Sequence, residues 1–344
     1  MNTRVRDSTE ANRGNGDPKE SLSVLSVSSC SEPFSATQLC VVGNINRDVK
    51  VQQVPESPGL LRDGETGVSG IVETVGGGGA NSACAAAALG VGVRFVGKTG
   101  ADALGDRLRQ ALEEHGVRAH LARDPRCATG TTVALGYASG QRHFLSCLPN
   151  NQTLAFEDLD LSALEGCRHL LRADVWFSQA MLEGGNRRLL LEARRGGLAT
   201  SLDINFDPQW STGPKEAIAR RKQQLREVLD LIDLAHGNVR ELCEFTDSAD
   251  LETALRRLTE WGVKAVVAHL GSHGAGYWKD GELVVEPPDF ALNPLNTTGT
   301  GDVLSISMIL LEAAPKLSTR QKLRLANGIV RDFVEGRRKL IPDL

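Results

Sequence analysis

From Leu161 onward the chain alternates short apolar runs with amphipathic stretches, and this rhythm restricts the fold more than any other feature. Val175–Ser178, Thr200–Ile204, Leu231–His236 and Ala265–Leu270 read as strands. Between them Gly185–Arg195, Lys215–Leu229 and Ala249–Trp261 carry helical spacing. Strands separated by helices become parallel neighbours, so the prediction is an α/β fold: a mainly parallel central sheet flanked by helices on both faces. The N-terminal half starts the same way, with a strand at Leu39–Gly43, an alanine-rich helix at Asn81–Leu89 closed by Gly90, a strand at Val93–Val96 and a helix at Asp102–His115. Two excursions interrupt it. In 49–75, Val49, Val51 and Val54 alternate before Pro55, Pro58, Gly59 and Gly64; 131–145 carries two strand-like runs around Ser139-Gly140-Gln141. Both read as hairpin-like β segments outside the main sheet.

Composition narrows the function classes. With 41% hydrophobic residues and a net charge of −4, the chain has no basic field to draw nucleic acid or an anionic membrane. An anionic ligand must therefore be held by local devices such as helix N-termini or a metal. No apolar run approaches the roughly 18 residues that span a bilayer. The seven cysteines (Cys30, Cys40, Cys84, Cys127, Cys147, Cys167 and Cys243) are scattered and form no Cys-x-x-Cys, which argues against a disulfide framework or a zinc site and predicts a reducing, cytoplasmic location. Residues 1–36 are serine-rich, mix both charges and lack an apolar signal core; they read as a disordered extension before one domain at 37–344.

Three glycine-rich segments compete as nucleotide sites. Gly92-Val93-Arg94-Phe95-Val96-Gly97-Lys98-Thr99 satisfies the Walker A pattern, but its four middle residues are themselves a strand and a helix precedes it, the reverse of what a phosphate loop needs. Gly76-Gly77-Gly78-Gly79-Ala80-Asn81 is too uniform to be a dinucleotide fingerprint; it suits a backbone that must approach a ligand, with Asn81 as helix cap. Thr297-Thr298-Gly299-Thr300-Gly301-Asp302 opens the apolar helix Val303–Leu311. There, backbone N–H groups at a helix start form an anion nest with a carboxylate beside it. A base next to a phosphate site is what phosphorylation of an alcohol requires.

In this order the segments resemble the ribokinase-like (PfkB) family of carbohydrate kinases, from about residue 38 to 335. The resemblance implies ATP- and Mg²⁺-dependent phosphorylation of a hydroxyl on a sugar or sugar-like molecule, with a small β lid formed by about 49–75 and 131–145. It implies that Asn46 and Asp48 (in Gly43-Asn44-Ile45-Asn46-Arg47-Asp48) and Gly77 and Asn81 contact the acceptor. Asp302 falls at the base position, with Gly299, Thr300 and Gly301 as the anion hole. Asn238 and Glu241 match Asn-x-x-Glu, organising Mg²⁺ and phosphate through water. Gly271 and Gly274 match the loop under ATP, and Asn327 the closure of the adenine pocket. Lids of this family often mediate dimers, so a homodimer through the lid is a further expectation.

The pattern also departs from the family. Asn296 stands where many members carry Asp; with Thr298 it would form only a weakened monovalent-cation site, so K⁺ activation is not implied. His269 replaces a small hydroxyl residue, and Gly78 a frequent lysine. Asp203-Ile204-Asn205-Phe206-Asp207 resembles a segment of fructokinase- and ketodeoxygluconate-kinase-like members, yet Asp207 falls where those carry Arg, which disfavours an acidic sugar. Two other functions stay open on the sequence: a nucleoside kinase on the same fold, and a catalytically silent sugar- or nucleotide-binding sensor.

Overall fold

The computed structural model describes residues 38–56, 62–137, 139, 141–289 and 299–344; the predicted extension at 1–36 lies outside them. The centre of the molecule is β1 (Gln38–Val42), because Leu39, Cys40, Val41 and Val42 are at most 1% exposed and so both faces of the strand are covered. Leu39 and Val41 enter one apolar core, Cys40 and Val42 the other. A strand apolar on both faces belongs in mid-sheet, and β1 pairs in parallel with β4 (Gly92–Gly100) and β8 (His169–Arg172). β5 (Val117–Asp124) extends the sheet beyond β4. On the other side β9 (Ala199–Asp203), β10 (Leu234–Asn238) and β11 (Ala265–His269) follow β8 in parallel. An antiparallel pair, β12 (Ala275–Lys279) and β13 (Glu282–Glu286), closes that edge and completes nine strands.

Helices cover both faces. α1 (Gly78–Ala88), α2 (Ala103–Glu114), α7 (Thr300–Glu312) and α8 (Thr319–Val334) pack on the face of Leu39 and Val41. α3 (Asn186–Arg195), α4 (Lys215–Arg226), α5 (Val239–Thr246) and α6 (Leu251–Glu260) pack on the face of Cys40 and Val42. The alanines of α1 are small for a reason: α7 lies against them, and short side chains let the two helix axes approach.

A second sheet of four strands, in the order β3 (Gly70–Gly76), β2 (Asn46–Val54), β6 (Thr131–Tyr137) and β7 (Arg142–Cys147), arises from the two excursions. β2 and β6 are parallel and the outer pairs antiparallel. Strict alternation gives this sheet two unlike faces. One carries Asp48, Thr132 and Ser146 in one row and Lys50, Ala134 and Phe144 in the next. The other is mostly apolar, with Val49, Val133 and Leu145 beside Ile71, Val51 and Leu135, and with Glu73 and His143 at the ends of these rows.

Three sequence expectations change. The predicted strand at Val175–Ser178 is not one; the strand is β8, ending at Arg172. Asp174 takes φ +55, which a strand cannot accommodate, and the apolar run beyond it folds into the core instead. There Trp176 meets Trp210 and Phe245 edge-on and donates its indole N–H to Asn205 O at 3.1 Å. Asn81 is not the helix cap: α1 starts at Gly78 with Gly77 in the cap position, so Asn81 projects from the first turn. β5, β12 and β13 were not anticipated. The Walker-like segment is strand β4 as expected; Lys98 is buried in it, 3.1 Å from Asp124 and 3.0 Å from Asp158, an internal ion pair and not a phosphate ligand. Among the described residues no helix is long and apolar enough to cross a membrane.

Candidate functional site

A cleft of about 700 Å³ opens where the parallel strands end. Its floor comes from the residues just after β1, β8, β9, β10 and β11, the carboxyl edge at which open α/β sheets bind ligands. The N-terminus of α7 and one side of α8 form one wall, and the polar face of the second sheet stands over the opposite end.

Glycine makes the first contact possible. Gly77 has φ +92, and a Cβ there would lie 2.4 Å from Asn44 O; one on Gly79 would lie 2.6 Å from Gly43 Cα. The β1–β2 turn therefore rests directly on the start of α1, with no room for a side chain between. Asp174 locks the two together. Its Oδ2 accepts the N–H of Asn44 at 2.9 Å and of Gly79 at 2.7 Å, and its Oδ1 the N–H of Gly78 at 3.2 Å. Burial still pushes its carboxyl above the usual range, against the pull of those three amides. From the turn the chain enters β2, where Asn46 donates to Asp48 Oδ1 at 2.7 Å. Burial raises Asp48 to about 6, with Lys50 opposing.

Across the cleft, Gly299 adopts the left-handed conformation (φ +88) and turns the chain into α7. Thr300, Gly301 and Asp302 form its first turn, whose N–H groups are directed out of the helix end. The half-buried Asp302 carboxylate is held well above the usual range by desolvation and then by the neighbouring Asp174, with Glu241 and Asp48 adding to it. The Asn81 amide works the other way, donating to Asp302 Oδ2 at 3.3 Å. His269 ends strand β11 and sits behind this turn with Ser305 Oγ 3.3 Å from its Nε2, and burial drops its pKa to about 4.

At the far end, Asn238 and Glu241 form a reciprocal capping box on α5: Glu241 N–H donates to Asn238 Oδ1 at 2.9 Å and Asn238 N–H to Glu241 Oε2 at 2.8 Å. The pair is thus a helix start and a cleft wall at once. Burial raises Glu241, and burial plus the charge of Glu241 raises Asp203 well above its ordinary value. Gly271 and Gly274 turn the chain from β11 to β12. Asn327 donates to Pro287 O at 2.8 Å and Glu286 O at 3.2 Å, tying α8 to the segment after β13.

Asp302, Gly299, Thr300, Gly301, Asn46, Asp48, Gly77, Asn81, Asn238, Glu241, Gly271, Gly274 and Asn327 thus all line this one cleft. Asn296 and Thr298, the suggested monovalent-cation ligands, lie outside the described residues. Sequence reasoning missed Asp174, Asp203 as a wall residue, and Arg142 and Phe144 from β7. Only the last two had a local signal, the alternation of β7. Asp207 behaves differently from its sequence reading: it is wholly buried and paired with Arg221 at 2.6 Å, so its charge is spent inside the protein.

Among the described residues no three His, Cys, Asp or Glu side chains are set to chelate a metal directly. The crowding of Asp203, Glu241 and Asp302, each raised by its neighbours or by burial, still favours a cation among them. This donor set suits Mg²⁺ held largely by water and phosphate.

Comparison with known proteins agrees with this geometry. A family profile described as pfkB family carbohydrate kinase matches residues 36–327. A ribokinase of Arabidopsis thaliana is 28% identical over 304 residues, covering 85% of this chain and 74% of that protein. Fructokinase-2 of Oryza sativa subsp. japonica is 27% identical over 249 residues, covering 70% and 71%. In fold, a putative ribokinase II from E. coli in complex with ATP and Mg²⁺ superposes with a TM-score of 0.74 over 88% of this chain and 94% of that one, at 21% identity.

Proposed function

The chain belongs to the pfkB family of carbohydrate kinases, and from that premise we propose that it moves the γ-phosphoryl group of ATP to a hydroxyl of a sugar or sugar-like molecule lying between the second sheet and α7. The observation that carries this reading is the Asp302 carboxylate, half-buried in the cleft beside the first-turn N–H groups of α7 and within reach of Asn81. Asp302 accepts the proton of the attacking hydroxyl; its raised proton affinity suits a group that must take a proton from an alcohol. The amides of the Gly299–Gly301 turn face the charge that develops on the transferred group. Asn46, Asp48, Gly77 and Asn81 orient the acceptor, while Asn238, Gly271, Gly274 and Asn327 border the nucleotide. Mg²⁺, when bound, neutralises phosphate charge; Glu241 would orient its water ligands.

The residues from 37 onward then act as one kinase domain with the second sheet as lid. The mostly apolar outer face of that sheet, where Ile71 is 64% and Leu145 55% exposed, supports a homodimer through the lid. The direct test is Asp302→Asn in a coupled ADP-release assay: kcat falls about 10²–10⁴-fold, the scale for loss of a general base, while ATP binding persists. Turnover near that of the wild type would overturn the assignment. A screen of ribose, fructose and nucleosides separates sugar kinase from nucleoside kinase, and ligand binding without turnover would mark a sensor.

A further inference from the structure

A second cavity, of about 400 Å³, lies at the opposite edge of the large sheet and shares no residue with the cleft. β8, β9, β10 and β11 begin at it, with His169, Ala199, Leu234 and Ala265, and run from there toward the cleft. The last turn of α7 roofs it through Ile309, Leu310 and Glu312. A cavity of this size holds a small metabolite.

Its interior is apolar. Leu39, Leu234, Ala265 and Leu310 are buried there together with the ring of Tyr277. Among them stands His169, whose Nε2 lies 2.6 Å from Ser201 Oγ; its Nδ1 has no hydrogen-bond partner among the described residues. Burial drops the pKa of this histidine to about 4, so the ring is neutral and offers one hydrogen bond without charge.

The charges stand at the mouth, and they do not cancel. Asp233 is taken by Arg194 at 2.8 Å and Lys264 at 2.6 Å, and Glu312 by Lys322 and the Tyr277 hydroxyl, both at 3.1 Å. Both carboxylates of the lining are thus engaged. Arg168 and Lys279, also in the lining, make no side-chain hydrogen bond or ion pair among the described residues. Lys279 stands across β12 and β13 from Glu282 without pairing with it, and on its other side opposite Ala265 in the cavity. A cationic ligand would meet two free cations and no free carboxylate here. A carboxylate suits the guanidinium, whose planar fork matches it with two parallel hydrogen bonds, and the ammonium adds a point charge.

We infer that this cavity binds a small amphipathic acid: a carboxylate on an aromatic or aliphatic carbon body. The body lies against Leu39, Leu234, Leu310 and Tyr277, and the carboxylate meets Arg168 and Lys279 at the rim. None of these residues takes part in the proposed phosphoryl transfer, so the site stands or falls separately from the kinase reading.

Calorimetry on the whole chain tests it with two acids and their uncharged amides: 2-naphthoate with 2-naphthamide, and octanoate with octanamide. In at least one pair the acid should bind once per chain, about 10-fold tighter than its amide, the scale of one charge-assisted hydrogen bond. The pair that shows this preference tells whether the body is aromatic or aliphatic. MgATP should leave the binding unchanged. Arg168→Gln should weaken the acid about 10-fold and leave the amide alone. Ala313→Trp, from the exposed end of α7, should fill the cavity and abolish binding of both. Both positions are exposed, and thermal unfolding midpoints equal to that of the wild type show that the variants are folded. No binding of either acid, amides that bind as well as the acids, displacement by MgATP, or binding untouched by the two substitutions would overturn the inference.

Discussion

Asp174 offers a prediction whose size follows from its bonds. Replacing it with alanine removes the acceptor for three N–H groups, those of Asn44 and Gly79, which are buried, and of Gly78, which is half-buried. A buried donor left without a partner costs about 1–3 kcal/mol, so three could reach roughly 3–9. Part of this is offset, because burial penalises the carboxylate itself and that strain disappears with it. A net loss of about 3–5 kcal/mol is expected for Asp174→Ala. Asp174→Asn should be milder. Its amide oxygen, placed where Oδ2 now lies, keeps the bonds from Asn44 and Gly79, and only the Gly78 N–H meets a second donor, for about 1–2 kcal/mol. Urea unfolding at pH 7 measures both variants. Hydrogen exchange at Gly78 and Gly79 should quicken most in the alanine variant, and the acceptor KM should rise more than the ATP KM, since the turn under the acceptor loses its anchor. A cost below about 1 kcal/mol for alanine, or equal costs for the two variants, would refute the triple-acceptor argument.

Other outcomes follow from the same geometry. Because burial and Asp174 raise Asp302, and a base works only when deprotonated, kcat/KM should climb with pH through a midpoint above the ordinary carboxylate range; an acid limb near pH 4 would contradict this. His236 is fully buried with neither ring nitrogen hydrogen-bonded, and burial lowers its pKa well below normal, so its neutral form is favoured in the fold. Its share of stability is present above the unfolded value near 6.5 and lost as pH falls toward the depressed folded value. Compared with wild type, His236→Leu should therefore flatten the stability-versus-pH curve by about 1.4 kcal/mol per pH unit below roughly pH 6; an unchanged slope in urea titrations would count against it. Ile71→Lys with Leu145→Lys should convert a homodimer to monomer in sedimentation at micromolar concentration, and a wild type that is already monomeric would remove the lid interface from the proposal.

What could be read from the chain alone was whatever its local chemistry encodes. Glycines before apolar helices, the Asn-x-x-Glu spacing and the strand–helix rhythm are written in neighbouring residues, and they led to Gly77, Glu241 and Asp302. Asp174 was invisible because a lone aspartate between Ala173 and Val175 has no local mark; its role depends on amides 130, 96 and 95 residues away. The strand placed at Val175–Ser178 failed for a related reason: Val-Trp-Phe satisfies strand periodicity, yet the positive φ of Asp174 and the pocket between Trp210 and Phe245 decide its path. Lys50 and Arg142 needed the register of β2, β6 and β7 before they could be placed on one face.

The hydrogen bond from Asn81 to Asp302 joins residues 221 positions apart. A ribosome adding 5–20 residues per second needs roughly 10–45 s to cover that interval. During this time α1 exists without the helix that packs on it, its small-residue face turned to solvent or to a chaperone. The proposed base is among the last parts of the centre to be made, followed only by the α8 wall with Asn327, so a chain cut short before residue 302 can retain most of the sheet and yet lack its chemistry. Phosphotransfer then begins only with nearly complete synthesis, which keeps unfinished chains from consuming ATP.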